Sequence, residues 1–274
     1  MEKVLVVFDF DGTLVDSATQ FKEAIEDFHK QTLNKNCTEE IKENIVKNYG
    51  LRGNYDYEIT ICGKEITQEQ QGKIVNDIIK YIDELKMNKS KLLKFKFFDG
   101  IKHLLKDLRK KYSNICDFAI CGGSNQKNIR IVLQENYLLD LFVAVVSETA
   151  EIKKPNPQLI YQTIKEATEN PQDNCKKIYT KIIMVGDTDN DINLAKEFKN
   201  KQQDCDIETI AVSYGGFQTK EYLQKSQPDI IVDSIKELKQ ELTYRLEKCK
   251  KFLLNKILKK LNWNKSKEIA KQII

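Results

Sequence analysis

The stretch Val4-Leu-Val-Val-Phe-Asp9-Phe-Asp11-Gly12-Thr13 decides the fold. It begins with a run of apolar, mostly β-branched residues without polar alternation, which is typical of a strand buried on both faces of a parallel sheet. Two aspartates and a glycine turn follow the run directly. Because unpaired carboxylates at the end of a buried strand are costly to desolvate, the pattern predicts a cation at this point.

Further short apolar runs along the chain have the same character. Each is followed by a turn and a helical repeat, so the sequence predicts an α/β fold with a doubly wound parallel sheet and right-handed crossovers. The predicted strands are residues 3–8, 118–121, 144–147, 181–185, 209–212 and 229–232. The predicted helices between them are residues 101–110, 126–135, 157–167, 189–198 and 220–225.

A long stretch after the first strand breaks this alternation. It contains no convincing buried strand, and apolar residues such as Phe21, Ile25 and Phe28 recur at helical spacing. A helical segment inserted at this point predicts a separate cap domain. The predicted organisation is an α/β core of residues 1–16 and 95–242, a helical cap of residues 17–94, and a basic helical extension of residues 243–274.

Charge is unevenly distributed along the 274 residues. The hydrophobic fraction of 41% is enough for a packed core, which excludes global disorder. Residues 243–274 hold ten basic and two acidic side chains, a net charge of +8, whereas residues 1–242 carry −4. We expect no nucleic acid to bind the core. The partner of the basic extension is unknown: it is either a solvated helix packed on the body or a segment that binds nucleic acid, an anionic membrane or a protein.

The cysteines and apolar runs predict a cytoplasmic protein. The seven cysteines are scattered without a C-x-x-C pair, and only His29 and His103 exist to complete a zinc site, so we expect free thiols and no zinc. The two histidines are expected to be surface or packing residues. No apolar run is long enough for a transmembrane segment, and acidic Glu2 is unlike the start of a secretory signal.

A second acidic cluster, Gly186-Asp187-Thr188-Asp189-Asn190-Asp191, follows another predicted strand. The carboxyl ends of parallel strands meet at one edge of a sheet, so we expect the aspartates of both clusters to converge there. Ligand sets made only of oxygen suit Mg²⁺. The sequence therefore predicts a Mg²⁺ site at this edge.

These clusters resemble motifs of the haloacid dehalogenase (HAD) superfamily. Asp9-Phe-Asp11-Gly12-Thr13 resembles its first motif, and Lys154-Pro155 ahead of Gly186-Asp187-x-x-x-Asp191 resembles its third and fourth. The helical insert is similar to the cap of phosphoglycolate-phosphatase-like and sugar-phosphate-mutase-like members. The resemblance implies a Rossmann-like core and phosphoryl-transfer chemistry, since a true dehalogenase does not need the second acid, Asp11.

The resemblance also implies roles for individual residues in a Mg²⁺-dependent phosphatase acting on a small phosphorylated metabolite. Asp9 would attack phosphorus to form an aspartyl-phosphate, and Asp11 would serve as acid and then base. Asp9, the Asp11 carbonyl and Asp187 would hold Mg²⁺, and Lys154 would hold the phosphate. The supporting residues would be Thr13 and Asp191, the latter anchoring Lys154 or a water on the metal.

One motif departs from the family pattern. The family has Ser or Thr at the end of the second strand to bond the phosphoryl oxygens, and this chain has Gly122. Either Ser124 supplies the hydroxyl, or the backbone N–H groups of Gly122 and Gly123 bind the phosphate. Arg52, in the insert, is a candidate for the far end of the substrate and equally a surface arginine.

Two alternatives to the phosphatase stay open from the residues alone. A phosphomutase would share every core residue and differ in protecting its aspartyl-phosphate from water. A catalytically weak HAD-like binding protein is the second alternative, and the departure at Gly122 motivates it. The sequence specifies neither the phosphate ester nor the oligomeric state.

Overall fold

A computed structural model describes residues 2–32, 36–50, 73, 77, 80, 81, 96–169, 177–202 and 205–273. Within these residues one six-stranded sheet and eight α-helices have defined bounds, and residues 73, 77, 80 and 81 are also helical. The strands are β1 Glu2–Phe8, β2 Cys116–Gly122, β3 Phe142–Ser147, β4 Ile178–Gly186, β5 Asp206–Val212 and β6 Ile230–Val232. The helices are α1 Ser17–Thr32, α2 Glu39–Gly50, α3 Ile101–Tyr112, α4 Gln126–Glu135, α5 Gln158–Thr168, α6 Asp189–Lys201, α7 Lys220–Lys225 and α8 Ile235–Ile273.

All six strands are parallel and lie in the order β3-β2-β1-β4-β5-β6. The strand order reverses between β1 and β4, so this pair marks the topological switch point, where α/β sheets bind ligands. Phe8 at the end of β1 lies opposite Ile120 of β2 and Val185 of β4. The three strands therefore end at the same edge, and the residues that follow them are neighbours.

The sheet is buried on both faces, which explains why its strands lack polar alternation. Val4, Val6 and Phe8 of β1 point to a core shared with α3, α4 and α8. Leu5 and Val7 point to a second core on the other face, shared with α5 and α6. The predicted doubly wound α/β fold is thus confirmed, with each predicted strand and core helix present.

Five of the six strands begin earlier than the hydrophobic runs indicate, by one residue in β1, two in β2 and β3, and three in β4 and β5. β2 starts at Cys116 and includes Asp117, a fully buried residue that hydrophobicity alone would exclude from a strand. Its carboxylate lies 3.0 Å from the Lys3 ammonium and 2.8 Å from the Arg109 guanidinium. These ion pairs offset the desolvation of the carboxylate and let a polar residue occupy the sheet.

The helical insert leaves and re-enters the core at adjacent points. The Asp16 N–H donates to the Lys96 carbonyl at 2.8 Å, and Val15 forms an antiparallel bridge with Phe97. The insert begins with α1 and α2, and most of residues 51–95, including the predicted substrate residue Arg52, lies outside the described residues. The assignment of residues 17–94 as a cap domain remains a prediction.

The boundary predicted at residue 243 falls inside a continuous helix. Leu238, Leu242 and Leu246 of α8 pack against the sheet on both sides of that boundary. From Leu254 to Lys259, by contrast, every side chain of α8 is exposed. Among the described helices, none combines the length and the apolarity that crossing a membrane would require.

Candidate active site

The two acidic clusters meet at the carboxyl edge of the sheet. Asp9 directly follows β1 and Asp187 directly follows β4, and both side chains are buried. One carboxylate oxygen from each of Asp9, Asp187 and Asp191 lies within 4.8 Å of the others. Three buried carboxylates this close repel one another, so the arrangement needs compensating positive charge.

Lys154 supplies one positive charge. It lies in the loop after β3, and its buried ammonium donates to Asp9 Oδ1 at 2.7 Å and to Asp191 Oδ1 at 2.6 Å. The Lys154 N–H donates to Glu148 Oε1 at 3.1 Å, which fixes the loop. One lysine between two carboxylates leaves the cluster with a net negative charge, because Asp187 is not paired with it.

The pKa values of the cluster reflect burial first and the neighbouring charges second. Burial raises the pKa of Asp9 to about 7, although Lys154 partly opposes the effect. Burial, with Asp9 beside it, also raises the pKa of Asp187 well above its usual range. Burial alone would lower the pKa of Lys154, but Asp191 and Asp9 outweigh it and hold that pKa well above the ordinary value. The ammonium therefore stays charged.

Asp191 is held at the start of α6, where both of its carboxylate oxygens accept hydrogen bonds. Its second oxygen accepts from the Thr188 N–H at 3.1 Å and from the Thr188 hydroxyl at 2.7 Å, in a capping box. A Cβ on Gly186 would lie 2.3 Å from Asp191 Cγ, so only glycine lets this carboxylate approach β4. Its geometry suits the anchoring of Lys154.

Asp187, by contrast, has an oxygen available. The Thr13 hydroxyl donates to Asp187 Oδ1 at 3.2 Å, whereas Oδ2 is buried without a hydrogen-bond partner. A Cβ on Gly12, whose φ is 73°, would lie 2.2 Å from Oδ2, and one on Gly215 would lie 2.5 Å from it. A buried, unpartnered carboxylate oxygen beside Asp9 fits a hard divalent cation, since such ions prefer carboxylate oxygen.

Gly122, which stands where the family has serine or threonine, lies close to Asp9. A Cβ on Gly122 would be 3.5 Å from Asp9 Oδ1 and 3.3 Å from the side chain of Phe10. Ser124 lies two residues further on, and its hydroxyl donates to Asp11 Oδ2. Ser124 thus contacts the proposed acid and base, while Gly123 is exposed in the same turn. Which group binds phosphate stays a prediction.

Sequence reasoning missed three residues after β5 that support the site. The Tyr214 hydroxyl donates to the Thr13 carbonyl at 3.1 Å, and Gly215 packs against the Asp187 side chain. Gln218 exchanges two hydrogen bonds with Asp189, at 2.7 and 2.8 Å, at the start of α6. The only signal was the Gly215-Gly216 pair after an apolar run, which predicts a turn but not its contact with Asp187.

The chain belongs to the haloacid dehalogenase-like hydrolases, because the model of that family matches residues 6–202. The predicted superfamily is therefore confirmed. A phosphoglycolate phosphatase of Vibrio vulnificus (strain CMCP6) is 24% identical over 237 residues, covering 85% of this chain and 93% of the relative. A phosphoglycolate phosphatase of Synechococcus elongatus is 22% identical over 238 residues, covering 87% and 96%. The prediction of a phosphatase-like hydrolase agrees with these relatives.

Solved structures show the same fold. A predicted phosphoglycolate phosphatase from Haemophilus somnus aligns with a TM-score of 0.60 and 20% identity over 87% of this chain and 97% of its own. A predicted phosphatase from Clostridium acetobutylicum aligns with a TM-score of 0.59 and 20% identity over 89% and 100%. The family match ends at residue 202, before α8 begins.

Replacing the buried lysine should destabilise the protein far more than replacing its neighbour. We expect Lys154→Met to lower the free energy of unfolding by about 3 kcal/mol, because Asp9 and Asp191 would lose their common cation while buried. Exposed Lys153 provides the matched control, and Lys153→Met should change stability by less than about 0.5 kcal/mol. Urea denaturation of the three proteins measures both values. Equal losses for the two variants would contradict the structural role of Lys154.

Proposed function

We propose that the protein is a Mg²⁺-dependent phosphatase that hydrolyses a small phosphate monoester through an aspartyl-phosphate. The observation that carries this proposal is the cluster of Asp9, Asp187 and Lys154 at the switch point of the sheet. The cluster combines a nucleophile with an unpartnered carboxylate oxygen and a fixed positive charge. Asp11, two residues from Asp9, adds the proton donor that phosphate-ester cleavage needs.

Asp9, the Asp11 carbonyl and Asp187 are the groups proposed to hold the metal. The free oxygen of Asp187 and the excess of carboxylate over ammonium support this assignment. A bound Mg²⁺ would neutralise negative charge on the carboxylates and on the phosphoryl oxygens of the substrate. Asp191 is left out of the set because its oxygens bind Lys154 and Thr188.

The chain's own residues account for both chemical steps. In the first, a carboxylate oxygen of Asp9 forms a bond to phosphorus, the ester P–O bond breaks, and Asp11 gives its proton to the leaving oxygen. In the second, Asp11 takes a proton from water, the water oxygen bonds to phosphorus, and the bond to Asp9 breaks. The hydrogen bond from Ser124 would orient the Asp11 carboxyl for both transfers.

Lys154 would bind the phosphoryl group as a point charge from its position beside Asp9. The helical insert is proposed as a cap that covers the site and excludes water while the substrate is bound. The named activity of the Vibrio and Synechococcus relatives makes phosphoglycolate the first substrate to test. We also propose a cytoplasmic location, supported by the free thiols of the described cysteines.

The proposal is tested with p-nitrophenyl phosphate and a panel of phosphate esters that includes phosphoglycolate. We expect phosphate release with Mg²⁺, complete loss with EDTA, and recovery when Mg²⁺ is returned. Beryllofluoride should form a Mg²⁺-dependent complex at Asp9, detectable by fluorine NMR. The absence of both turnover and this complex would leave the HAD-like binding protein as the better account.

The same panel separates the phosphatase from a phosphomutase. A mutase would turn over a sugar phosphate only with its bisphosphate present and would release little inorganic phosphate. A phosphatase releases stoichiometric phosphate without an activator. Turnover that strictly requires a sugar bisphosphate would therefore reassign the function while leaving the roles of Asp9 and Asp11 intact.

The metal-free protein should become less stable as the pH rises from about 4 to about 7. The Asp9 carboxyl loses its proton near its ordinary pKa of 3.8 when unfolded but keeps it to about 7 when folded. The unfolded state then binds fewer protons in this window, so the free energy of unfolding falls by a few kcal/mol. Denaturation in EDTA at several pH values measures the fall. Asp9→Asn should make the fall smaller, with the raised pKa of Asp187 accounting for the remainder, and an unchanged slope in that variant would contradict the assignment.

A further inference from the structure

The last described helix, α8, carries two apolar stripes that face in different directions. The first consists of Leu238, Leu242, Leu246 and Leu253, which are buried against the body. The second begins at Leu254 and continues with Ile257 and Leu258, at the i, i+3, i+4 spacing of one helix face. Leu261 occupies the next position of this repeat in the sequence. The first stripe explains why α8 packs against the body. It does not explain the apolar side chains of the second stripe.

The second stripe faces away from the body. Leu254, Ile257 and Leu258 are about half exposed, at 54%, 55% and 48%. Lys256 occupies the opposite side of the helix, and its ammonium donates to both carboxylate oxygens of Glu2 in β1, at 2.8 and 2.7 Å. Because Lys256 is held toward the sheet, the aliphatic side chains on the other side are turned toward solvent.

Positive charge surrounds this stripe. Lys250 and Lys251 lie one turn before it, Lys259 lies on the polar side of the helix, and all three are exposed. Residues 243–274 together carry +8, and the body carries −4. Exposed aliphatic side chains combined with a cationic face are typical of helices that lie in the interface of an anionic membrane.

We propose that α8 beyond Leu253 is a docking surface for an anionic phospholipid bilayer, with the Leu254, Ile257 and Leu258 stripe in the headgroup boundary. A bilayer supplies both an apolar layer for the stripe and negative headgroups for the lysines. A nucleic acid would pair with the lysines but offer the stripe no apolar cover. A second copy of the chain would bring two segments of +8 together, which like-charge repulsion opposes.

Binding to a bilayer through α8 would leave uncovered the edge of the sheet where Asp9 lies. α8 contacts β1 at Glu2, the first residue of the strand, whereas Asp9 follows its last residue. The docking surface and the proposed active site are therefore associated with opposite ends of the same strand. Binding to a bilayer through α8 would hold the hydrolase at a membrane surface with the active site open to soluble substrates.

Vesicle co-sedimentation of the full chain tests the proposal. We expect binding to phosphatidylcholine vesicles that contain about one third phosphatidylserine, little binding to pure phosphatidylcholine, and weakening as ionic strength rises. Ile257→Glu should weaken binding at least about tenfold, because it places a charge in the apolar stripe. Tyr137→Glu is the matched control, since Tyr137 is an exposed aromatic residue in the turn after α4, and it should bind like the parent protein.

Several results would overturn the proposal. These are an absence of vesicle binding, equal binding to neutral vesicles, or equal effects of Ile257→Glu and Tyr137→Glu. Self-association in sedimentation equilibrium that Ile257→Glu abolishes would assign the stripe to a second copy instead. Far-UV circular dichroism and the urea denaturation midpoint should be unchanged in both variants, which shows that they are folded without relying on the proposed function.

Discussion

Replacing Asp9 by Asn should lower phosphatase turnover by about 10³-fold or more, because the amide cannot form the covalent bond to phosphorus. The change is small in shape, and Asn retains an oxygen that can accept from Lys154. The free energy of unfolding should therefore change much less than turnover does. Steady-state phosphate release with saturating Mg²⁺ measures the effect.

A second measurement separates loss of the nucleophile from a general loss of negative charge. Acid quenching during turnover should trap a phosphorylated protein that hydroxylamine cleaves, and Asp9→Asn should form none. Asp140→Asn removes an exposed carboxylate from the opposite edge of the sheet and should leave turnover and trapping unchanged. Trapped phosphate in Asp9→Asn at the parental level would show that another residue is the nucleophile.

Replacing Gly215 by Ala should reduce activity by about 10²-fold, although this residue belongs to none of the family motifs in the sequence. The new Cβ would lie 2.4 Å from the Gly12 carbonyl oxygen and 2.5 Å from the Asp187 side chain. One of these groups must move, and displacing a catalytic group by about 1 Å is enough for a loss of this size. We also expect overpacking to cost about 1–3 kcal/mol of stability.

The metal requirement identifies which group moved. If Asp187 is displaced, the Mg²⁺ concentration that gives half-maximal activity should rise in Gly215→Ala together with the fall in turnover. Gly100→Ala is the control for stability alone, because Gly100 has a φ of 87° and lies at the start of α3, away from Asp187. That variant should lose stability while its folded fraction keeps normal turnover. Normal turnover in Gly215→Ala would mean that the packing around Asp187 adapts.

The fold was predictable because the parallel sheet imposes a simple pattern on the sequence. Strands buried on both faces are apolar along their whole length, as in Val4 to Phe8. Ligands bind at the carboxyl ends of such strands, so the turns that follow them carry the residues of the site. Asp117 shows the limit of this approach. It belongs to β2 only because Lys3 and Arg109 neutralise it from other segments of the chain, and that pairing leaves no local signal.

The parts of the candidate site that lie next to a strand in the sequence could be predicted. The contacts between residues far apart in the sequence could not. The Asp9 and Asp187 clusters follow strands, so their convergence could be inferred from sheet topology. The contacts of Gly215 with Asp187 and of Tyr214 with Thr13 join residues far apart in the chain. Likewise, the bond from Ser124 to Asp11 depends on how the turn after β2 is folded, which residue types do not determine.

The two ends of the insert lie next to each other on the core, and this proximity has an evolutionary consequence. Because the Asp16 N–H and the Lys96 carbonyl are bonded directly, the core backbone is continuous in space without the residues between them. Loops joined at adjacent points tolerate changes of length and sequence at small energetic cost. Selection can therefore exchange or remodel the insert as a unit, and with it the substrate preference that the proposed cap would set. The carboxylates proposed to carry out the chemistry would stay in place at the ends of their strands.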